Sequence, residues 1–194
     1  MKKIAIFASG SGSNFEAIVK AVQRNEISAE IVLLVSDKPD AYVLTRAEKF
    51  EIPTLALSPK DYPTKAAYEA EILEKLRALE VDLIVLAGYM RLVGETLLRA
   101  YTDNIVNIHP SKLPDFPGKD AILRAYESKT RETGVTVHYV DAGMDTGPII
   151  AQEVVAIDEG DTVESLEEKI HKIEHALYVR TLARLCHEDQ EVSR

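Results

Sequence analysis

Short apolar runs alternate with amphipathic stretches along this chain. The runs are almost continuously apolar, which is typical of strands covered on both faces of a parallel sheet. Between them, apolar residues recur at helical spacing, as from Phe15 to Val22 and from Tyr68 to Leu79. Alternating strand and helix predicts a mainly parallel sheet with right-handed crossovers. The predicted strands are Ile4–Ala8, Ile31–Val35, Leu83–Ala87, Ile105–Ile108, Val135–Val140 and Ile149–Ile157.

The second half departs from this alternation. Thr133–Val140 and Pro148–Ile157 are separated only by a loop, so they are predicted to pair antiparallel. A final helix is predicted to open at Asp161–Ser165 and to run to about Leu185. The expected fold is therefore a single α/β domain with a mostly parallel open sheet of about seven strands and helices on both faces. Its N-terminal half is Rossmann-like, and its C-terminal half contains an antiparallel strand.

The amino-acid composition excludes several classes of protein. The 194 residues are 46% hydrophobic with a net charge of −9, which excludes disorder and argues against a nucleic-acid partner. Cys186 is the single cysteine, so a disulfide scaffold is excluded and a cytoplasmic location is favoured. No run approaches the roughly 18 apolar residues that a membrane helix needs. We therefore expect no membrane partner.

A glycine-rich turn follows the first predicted strand. Ser9–Asn14 reads SGSGSN and precedes a predicted helix, so its backbone amides are expected to converge on an anion such as a phosphate. The turn matches neither the dinucleotide fingerprint, which needs a glycine where Phe15 stands, nor the P-loop, nor the nucleophile elbow. A tight turn with Asn14 as helix cap is the alternative interpretation.

Polar side chains cluster near the later strand ends. Asn107 and His109 are two residues apart at the end of a predicted strand, so both project from one face. Asp145 lies in the loop between the two later strands. An amide, an imidazole and a carboxylate at strand ends predict a ligand crevice. His138 is directed toward the same end, either as a supporting partner or as a packed imidazole.

Four segments together are similar to a known family. They resemble the folate-dependent formyltransferases that act on glycinamide ribonucleotide in purine biosynthesis, and the match is collinear from Lys3 to about Tyr178. The Asn-x-His-Pro-Ser and Asp-x-Gly-Pro elements carry most of its specificity. The segments are Ser9–Asn14, Leu86–Arg91, Asn107–Ser111 and Asp145–Pro148.

The resemblance implies direct transfer of a formyl group from the co-substrate 10-formyltetrahydrofolate to the amine of glycinamide ribonucleotide, with no metal and no covalent enzyme intermediate. It assigns Asn107 and protonated His109 to the formyl oxygen as that oxygen becomes an oxyanion. Asp145 would pair with His109, because a nearby carboxylate favours the imidazolium.

The resemblance also implies the binding residues. The nucleotide phosphate and the rest of that substrate would be held by Gly12, Ser13, Asn14 and Glu174. The folate would contact Lys65, Met90, Arg91, Leu92, Val93, Asn107, Asp141, Ala142, Gly143 and Met144. Residues 1–100 would then form the phosphate-binding half and residues 101–194 the catalytic and folate-binding half. The partners expected are small-molecule substrates, with the chain a monomer or homodimer.

Some positions depart from the family pattern. Lys65 stands where an arginine is usual, which predicts weaker or differently oriented recognition of the folate glutamate tail. Lys112 replaces a leucine, and Lys119-Asp120 replaces the Leu-His of many members. These changes make the conformation of the Pro110–Gly118 loop uncertain from sequence.

Other functions stay open at this stage. Formyl transfer to another amine, such as methionyl-tRNA or an amino sugar, and hydrolysis of formyltetrahydrofolate are the nearest alternatives. His171-x-x-Glu174-His175 spells an inverted zincin motif, with Glu188 or Glu191 as the nearest further ligands. A non-catalytic nucleotide-binding module would need only the glycine turn.

Overall fold

Strands and helices alternate along the first half of the chain, as the hydrophobic pattern predicts. The computed structural model describes residues 1–191, with side chains through residue 187. The strands are β1 (Lys2–Phe7), β2 (Ala29–Ser36), β3 (Thr54–Ala56), β4 (Leu83–Leu86), β5 (Ile105–His109), β6 (Glu132–Tyr139) and β7 (Ile149–Ala156). The helices are α1 (Ser13–Gln23), α2 (Tyr42–Lys49), α3 (Lys65–Ala78), α4 (Glu95–Ala100), α5 (Ala121–Glu127) and α6 (Val163–Glu191).

Within the described residues, seven strands form one mixed sheet in the order β3-β2-β1-β4-β5-β6-β7. Strands β1 to β5 are parallel, whereas β6 runs antiparallel to both β5 and β7. This confirms the predicted α/β fold and its antiparallel strand. The edge strand β3 is absent from the six predicted runs, because Thr54-Leu55-Ala56 is too short to show a pattern.

Two hydrophobic cores lie on opposite faces of the sheet. On β1, Ile4 and Ile6 pack into one core, which α1, α5 and α6 cover. Ala5 and Phe7 point the other way, into a second core that α3 and α4 cover. Because successive strand residues face opposite sides, a strand buried on both faces must be apolar at every position. This explains the unbroken apolar runs in the sequence.

The central parallel strands end side by side. Phe7 on β1 is in register with Leu86 on β4, and Leu86 is in register with Asn107 on β5. The Tyr178 hydroxyl of α6 donates to the Leu86 carbonyl at 2.7 Å and fixes the long helix beneath this part of the sheet. The segments that follow β1, β4 and β5 therefore leave the sheet at one edge, where ligands of open α/β sheets bind.

Helix α6 begins where its capping residues predict. Thr162 Oγ1 accepts a hydrogen bond from the Ser165 amide, and Ser165 Oγ accepts one from the Thr162 amide, a reciprocal capping box. The helix extends through Glu191, beyond the predicted end near Leu185. Along the part of the chain that the structure describes, no helix is both long enough and apolar enough to span a bilayer.

Candidate active site

A cluster of four polar side chains lies at the carboxyl end of β5. His109 Nδ1 is 3.5 Å from Asp145 Oδ2, and His138 Nε2 is 3.7 Å from Asp145 Oδ1. Asn107 Nδ2 lies 3.3 Å from the same His138 nitrogen. The structure thus brings together Asn107, His109 and Asp145, which the sequence predicts to converge. His138 joins them from the neighbouring strand and bridges the amide to the carboxylate.

Asp145 is held in an ionised state by its surroundings. Its side chain is only 12% exposed, and burial alone would raise its pKa. Hydrogen bonding to His138 and to the Gly118 amide, together with the charge of His109, outweighs burial and lowers the pKa below its usual range. The Gly118 amide donates to Asp145 Oδ2 at 2.8 Å. The carboxylate is therefore available to stabilise a protonated imidazole beside it.

His109 has an acceptor on each ring nitrogen. Nδ1 faces Asp145, and Nε2 lies 2.8 Å from the carbonyl oxygen of Phe116. The imidazolium form satisfies both acceptors, because both of its nitrogens donate. The contact with Phe116 ties the Pro110–Gly118 loop to the site and is not predictable from the sequence. A substrate oxygen that binds Nε2 must replace this carbonyl.

The glycine turn leads directly into α1 through a left-handed residue. Gly12 caps α1 at φ 80°, and a Cβ there would lie 2.5 Å from Val43 Cγ2, so only glycine fits. No side chain caps the helix, and the alternative interpretation of Asn14 as cap is wrong. Asn14 lies inside the first turn of α1, and its Nδ2 donates to Glu174 Oε1 at 3.3 Å.

Glu174 is a buried carboxylate between two segments that the sequence keeps far apart. Its Oε1 accepts from Asn14, while its Oε2 lies 2.9 Å from His171 Nδ1. That hydrogen bond raises the pKa of His171. Asn14 Oδ1 is buried and has no hydrogen-bond partner within the described residues. Glu174 therefore lies beside the glycine turn, as the resemblance implies.

The β4–α4 loop, residues 87–94, carries four of the predicted folate contacts. Val93 is buried in the second core, whereas Met90 and Leu92 are 64% and 47% exposed. The Arg91 guanidinium lies 5.8 Å from the centre of the Tyr68 ring. Lys65, at the start of α3, is exposed, and its side chain passes beside Gly94. Exposed apolar side chains next to the cationic groups of Arg91 and Lys65 suit an aromatic ligand that carries carboxylates.

The β6–β7 loop closes the other side of the cluster. Asp141 Oδ1 accepts from the Gly143 amide at 2.9 Å and from Thr146 Oγ1 at 2.6 Å, and these bonds lower its pKa. Ala142 and Gly143 are exposed, and Met144 is 51% exposed. Asp141 therefore shapes its own loop, with Met144 facing solvent beside Asp145.

The positions that depart from the family pattern lie away from the polar cluster. Lys112 Nζ pairs with Glu132 Oε1 at 3.0 Å, on the outside of the sheet. The Lys119 carbonyl accepts from Arg124 Nε at 2.9 Å, which anchors the end of the loop to α5. Both contacts stabilise the loop without contacting the four-residue cluster.

The inverted zincin motif is arranged differently from a zinc site. His171 Nδ1 is bonded to Glu174, and His175 Nε2 is buried without a hydrogen-bond partner among the side chains that the structure describes. Among the described side chains, no group of three His, Cys, Asp or Glu residues is placed to hold a metal ion. The side chains of Glu188 and Glu191 lie outside the described residues. The motif instead supplies Glu174 to the glycine turn.

Fold and site together define an α/β enzyme with hydrogen-bond donors prearranged around a carboxylate–imidazole pair at the sheet edge. The family model described as "Formyl transferase" matches residues 2–182. The chain belongs to the formyl transferase family.

Relatives within that family are similar over almost the whole chain. The phosphoribosylglycinamide formyltransferase of Bacillus subtilis is 57% identical over 185 residues, covering 95% of each chain. The trifunctional purine biosynthetic protein adenosine-3 of Drosophila melanogaster is 43% identical over 186 residues, covering 95% of this chain but 14% of that protein.

Solved structures give the same picture. The glycinamide ribonucleotide transformylase 1 of Geobacillus kaustophilus is 59% identical with a TM-score of 0.94, covering 96% of this chain and 99% of that chain. The phosphoribosylglycinamide formyltransferase of Bacillus halodurans is 56% identical with a TM-score of 0.93, covering 95% of each chain.

Proposed function

We propose that this protein transfers the formyl group of 10-formyltetrahydrofolate to the amine of glycinamide ribonucleotide, giving formylglycinamide ribonucleotide and tetrahydrofolate in purine biosynthesis. The observation that carries the proposal is the convergence of Asn107, His109 and Asp145 on one sheet edge. The glycine turn follows β1, and the two loops with exposed apolar residues follow β4 and β6. The 57% identical relative from Bacillus subtilis supports the choice of acceptor.

In the proposed mechanism, His109 and Asn107 donate hydrogen bonds to the formyl oxygen as negative charge develops there. His109 does so from Nε2, after the Phe116 carbonyl gives up that nitrogen. Asp145 holds the imidazolium from Nδ1. The acceptor amine forms the new C–N bond while the bond to N10 of the folate breaks, and the proton lost by the amine ends on N10. Each prearranged donor of this kind is typically worth on the order of 10² to 10³ in rate.

The acceptor substrate is proposed to lie across the glycine turn. Backbone amides of Gly12, Ser13 and Asn14 face the phosphate at the start of α1, where the helix dipole also favours an anion. Glu174 accepts hydrogen bonds from the ribose or glycine end. The hydrogen bond from Asn14 to Glu174 supports this assignment, because it holds the carboxylate beside the start of α1.

The folate is proposed to lie between the β4–α4 and β6–β7 loops. Met90, Leu92 and Met144 present exposed apolar surface to its ring, and Arg91 and Lys65 face its carboxylates. Val93, buried beneath the loop, supports it from the core. Asn107 contacts both folate and formyl group, while Asp141, Ala142 and Gly143 shape the opposite wall.

The remaining assignments follow from this chemistry. The reaction needs formyl-folate as co-substrate and no metal, and its partners are small molecules rather than nucleic acid or membrane. We place the protein in the cytoplasm, as a monomer or homodimer. Residues 1–100 supply the phosphate site, and residues 101–194 supply the catalytic residues and one wall of the folate site.

A spectroscopic assay tests the proposal. The purified protein is mixed with 10-formyltetrahydrofolate and one acceptor, and tetrahydrofolate release is followed with glycinamide ribonucleotide, with methionyl-tRNA, with an amino-sugar nucleotide, and with water alone. We expect turnover only with glycinamide ribonucleotide, and its loss in Asn107→Ala. Equal release in water assigns the protein as a hydrolase, and preference for another amine changes the acceptor.

A further inference from the structure

Ser9 is a buried residue that links three segments at the edge of the sheet by hydrogen bonds. Its backbone amide donates to the Gly88 carbonyl at 3.0 Å. Its hydroxyl donates to Asp37 Oδ1 at 2.6 Å and accepts from the Met90 amide at 2.8 Å. Ser9 is 3% exposed and Asp37 is 5% exposed. The residue that begins the glycine turn therefore also holds the β4–α4 loop.

The Met90–Ser9–Asp37 chain of hydrogen bonds, called the relay below, has a direction that follows from the chemistry of its two ends, an amide and a carboxylate. A carboxylate can only accept, and a backbone amide can only donate, so the hydroxyl between them must donate to Asp37 and accept from Met90. Asp37 thus orients the Ser9 hydroxyl toward the loop. Replacing Ser9 by alanine leaves a loop amide and a carboxylate oxygen without this partner, in a site with little access to water.

The glycine turn has separate supports. The Val43 amide donates to the Gly10 carbonyl at 3.0 Å, and Arg46 Nε donates to the Ser11 carbonyl at 2.7 Å, both from α2. The β4–α4 loop is instead held by Ser9, by Glu69 Oε2, which accepts from the Gly94 amide at 2.7 Å, and by the Tyr89 hydroxyl, which lies 2.9 Å from that of Tyr68. Loss of the Ser9 hydroxyl therefore frees the loop more than the turn.

We propose that Ser9, oriented by Asp37, is a positioning residue that sets the β4–α4 loop in the conformation that binds the folate. This inference rests on the proposed function of that loop. It predicts that variants change the KM values of the two substrates unequally, since Ser9 acts on the folate side and the α2 contacts act on the phosphate side.

Four variants and one control test this difference between the two KM values in steady-state kinetics. In Ser9→Ala we expect the KM for 10-formyltetrahydrofolate to rise about tenfold, the scale of one buried amide left without its acceptor. Asp37→Ala should raise this KM in the same direction, because the Ser9 hydroxyl loses the acceptor that orients it. The KM for glycinamide ribonucleotide should change less than about threefold. Asp37→Asn keeps an oxygen acceptor for Ser9, so its KM for 10-formyltetrahydrofolate should stay at the wild-type value. Arg46→Gln should show the reverse pattern, with the larger change on the ribonucleotide.

Ser36→Ala is the matched control. Ser36 is a buried serine next to Asp37, but its hydroxyl bonds, among the described residues, only to the backbone of Lys38 two residues further along. Its removal should leave both KM values unchanged. Equal changes in both KM values in Ser9→Ala, or an effect of Ser36→Ala as large as that of Ser9→Ala, would overturn the inference.

Amide hydrogen exchange separates this inference from the proposed function. The Met90 amide should exchange at least about tenfold faster in Ser9→Ala than in the wild type, whatever reaction the protein catalyses. Unchanged exchange refutes the relay. If the Met90 amide exchanges faster in Ser9→Ala but the wild type shows no formyl transfer, the relay is retained and the proposed function is refuted. Binding of tetrahydrofolate, measured by calorimetry, should weaken in parallel with the faster exchange, and unweakened binding would refute the folate-positioning role.

Discussion

Replacing Asp145 by asparagine isolates the charge that the mechanism places behind His109. Asparagine keeps the size of the side chain and an oxygen for the Gly118 amide, and it tolerates the left-handed backbone at φ 56°. At the 3.5 Å separation of His109 and Asp145, a full charge pair is worth about 5 kcal/mol with an effective dielectric of about 20. That value is a ceiling, because the amide still forms a hydrogen bond.

We therefore expect kcat in Asp145→Asn to fall by about 10²- to 10³-fold, equivalent to roughly 3 to 4 kcal/mol of barrier. Both KM values should change much less, because the charge acts mainly in the transition state. The measurement is tetrahydrofolate formation at saturating substrates, with circular dichroism to establish that the variant is folded.

Asp120→Asn provides the matched control. Asp120 undergoes the same substitution at another left-handed position, φ 53°, but it is exposed and makes no side-chain capping bond. Its kcat should equal that of the wild type. A folded Asp145→Asn protein with kcat within about threefold of wild type would refute the role given to the charge.

Three further predictions concern binding and stability. Gly12→Ala should lower the melting temperature and raise the ribonucleotide KM, because its Cβ would collide with Val43 at positive φ; unchanged values would contradict the description of the turn. Lys65→Ala should raise the KM for polyglutamyl folate more than for monoglutamyl folate, and equal constants exclude a role in tail binding. Hydrogen bonds from Lys169, from the Asp158 amide and from the Ser165 hydroxyl lower the pKa of Asp161 from 3.8 to about 2. The melting-temperature loss in Asp161→Asn should therefore be full above about pH 4 and vanish toward pH 2; a pH-independent difference would contradict it.

Candidate residues close together in the chain were predictable because strand periodicity relates them. Asn107 and His109 share a face because they are two residues apart on β5, and the structure places both at the polar cluster. The four segments that resemble the family identified it on the same local basis. The role of His138 could not be chosen from the sequence, because it depends on how β6 pairs with its neighbours.

The pairing of β6 with its neighbouring strands is a property of the tertiary structure. His138 lies opposite Asn107, and the register between β6 and β7 shifts between Val137 and His138. The extra residue of this irregularity lies on β7, and it is the regular pairing of β6 with β5 that places His138 beside Asn107, with its Nε2 3.7 Å from Asp145 Oδ1. Hydrophobic alternation marks a strand but does not specify its register against a partner.

The amino-acid sequence by itself determined the alternating layers, the glycine turn and the family, because these depend on periodicity and on contiguous residue types. Only the tertiary structure decided the partners of the site residues. The bonds from Asn14 to Glu174, from Ser9 to Asp37 and Met90, and from His109 to the Phe116 carbonyl depend on distances between segments. Those distances follow from the packing of the whole sheet and its helices, which no local pattern encodes.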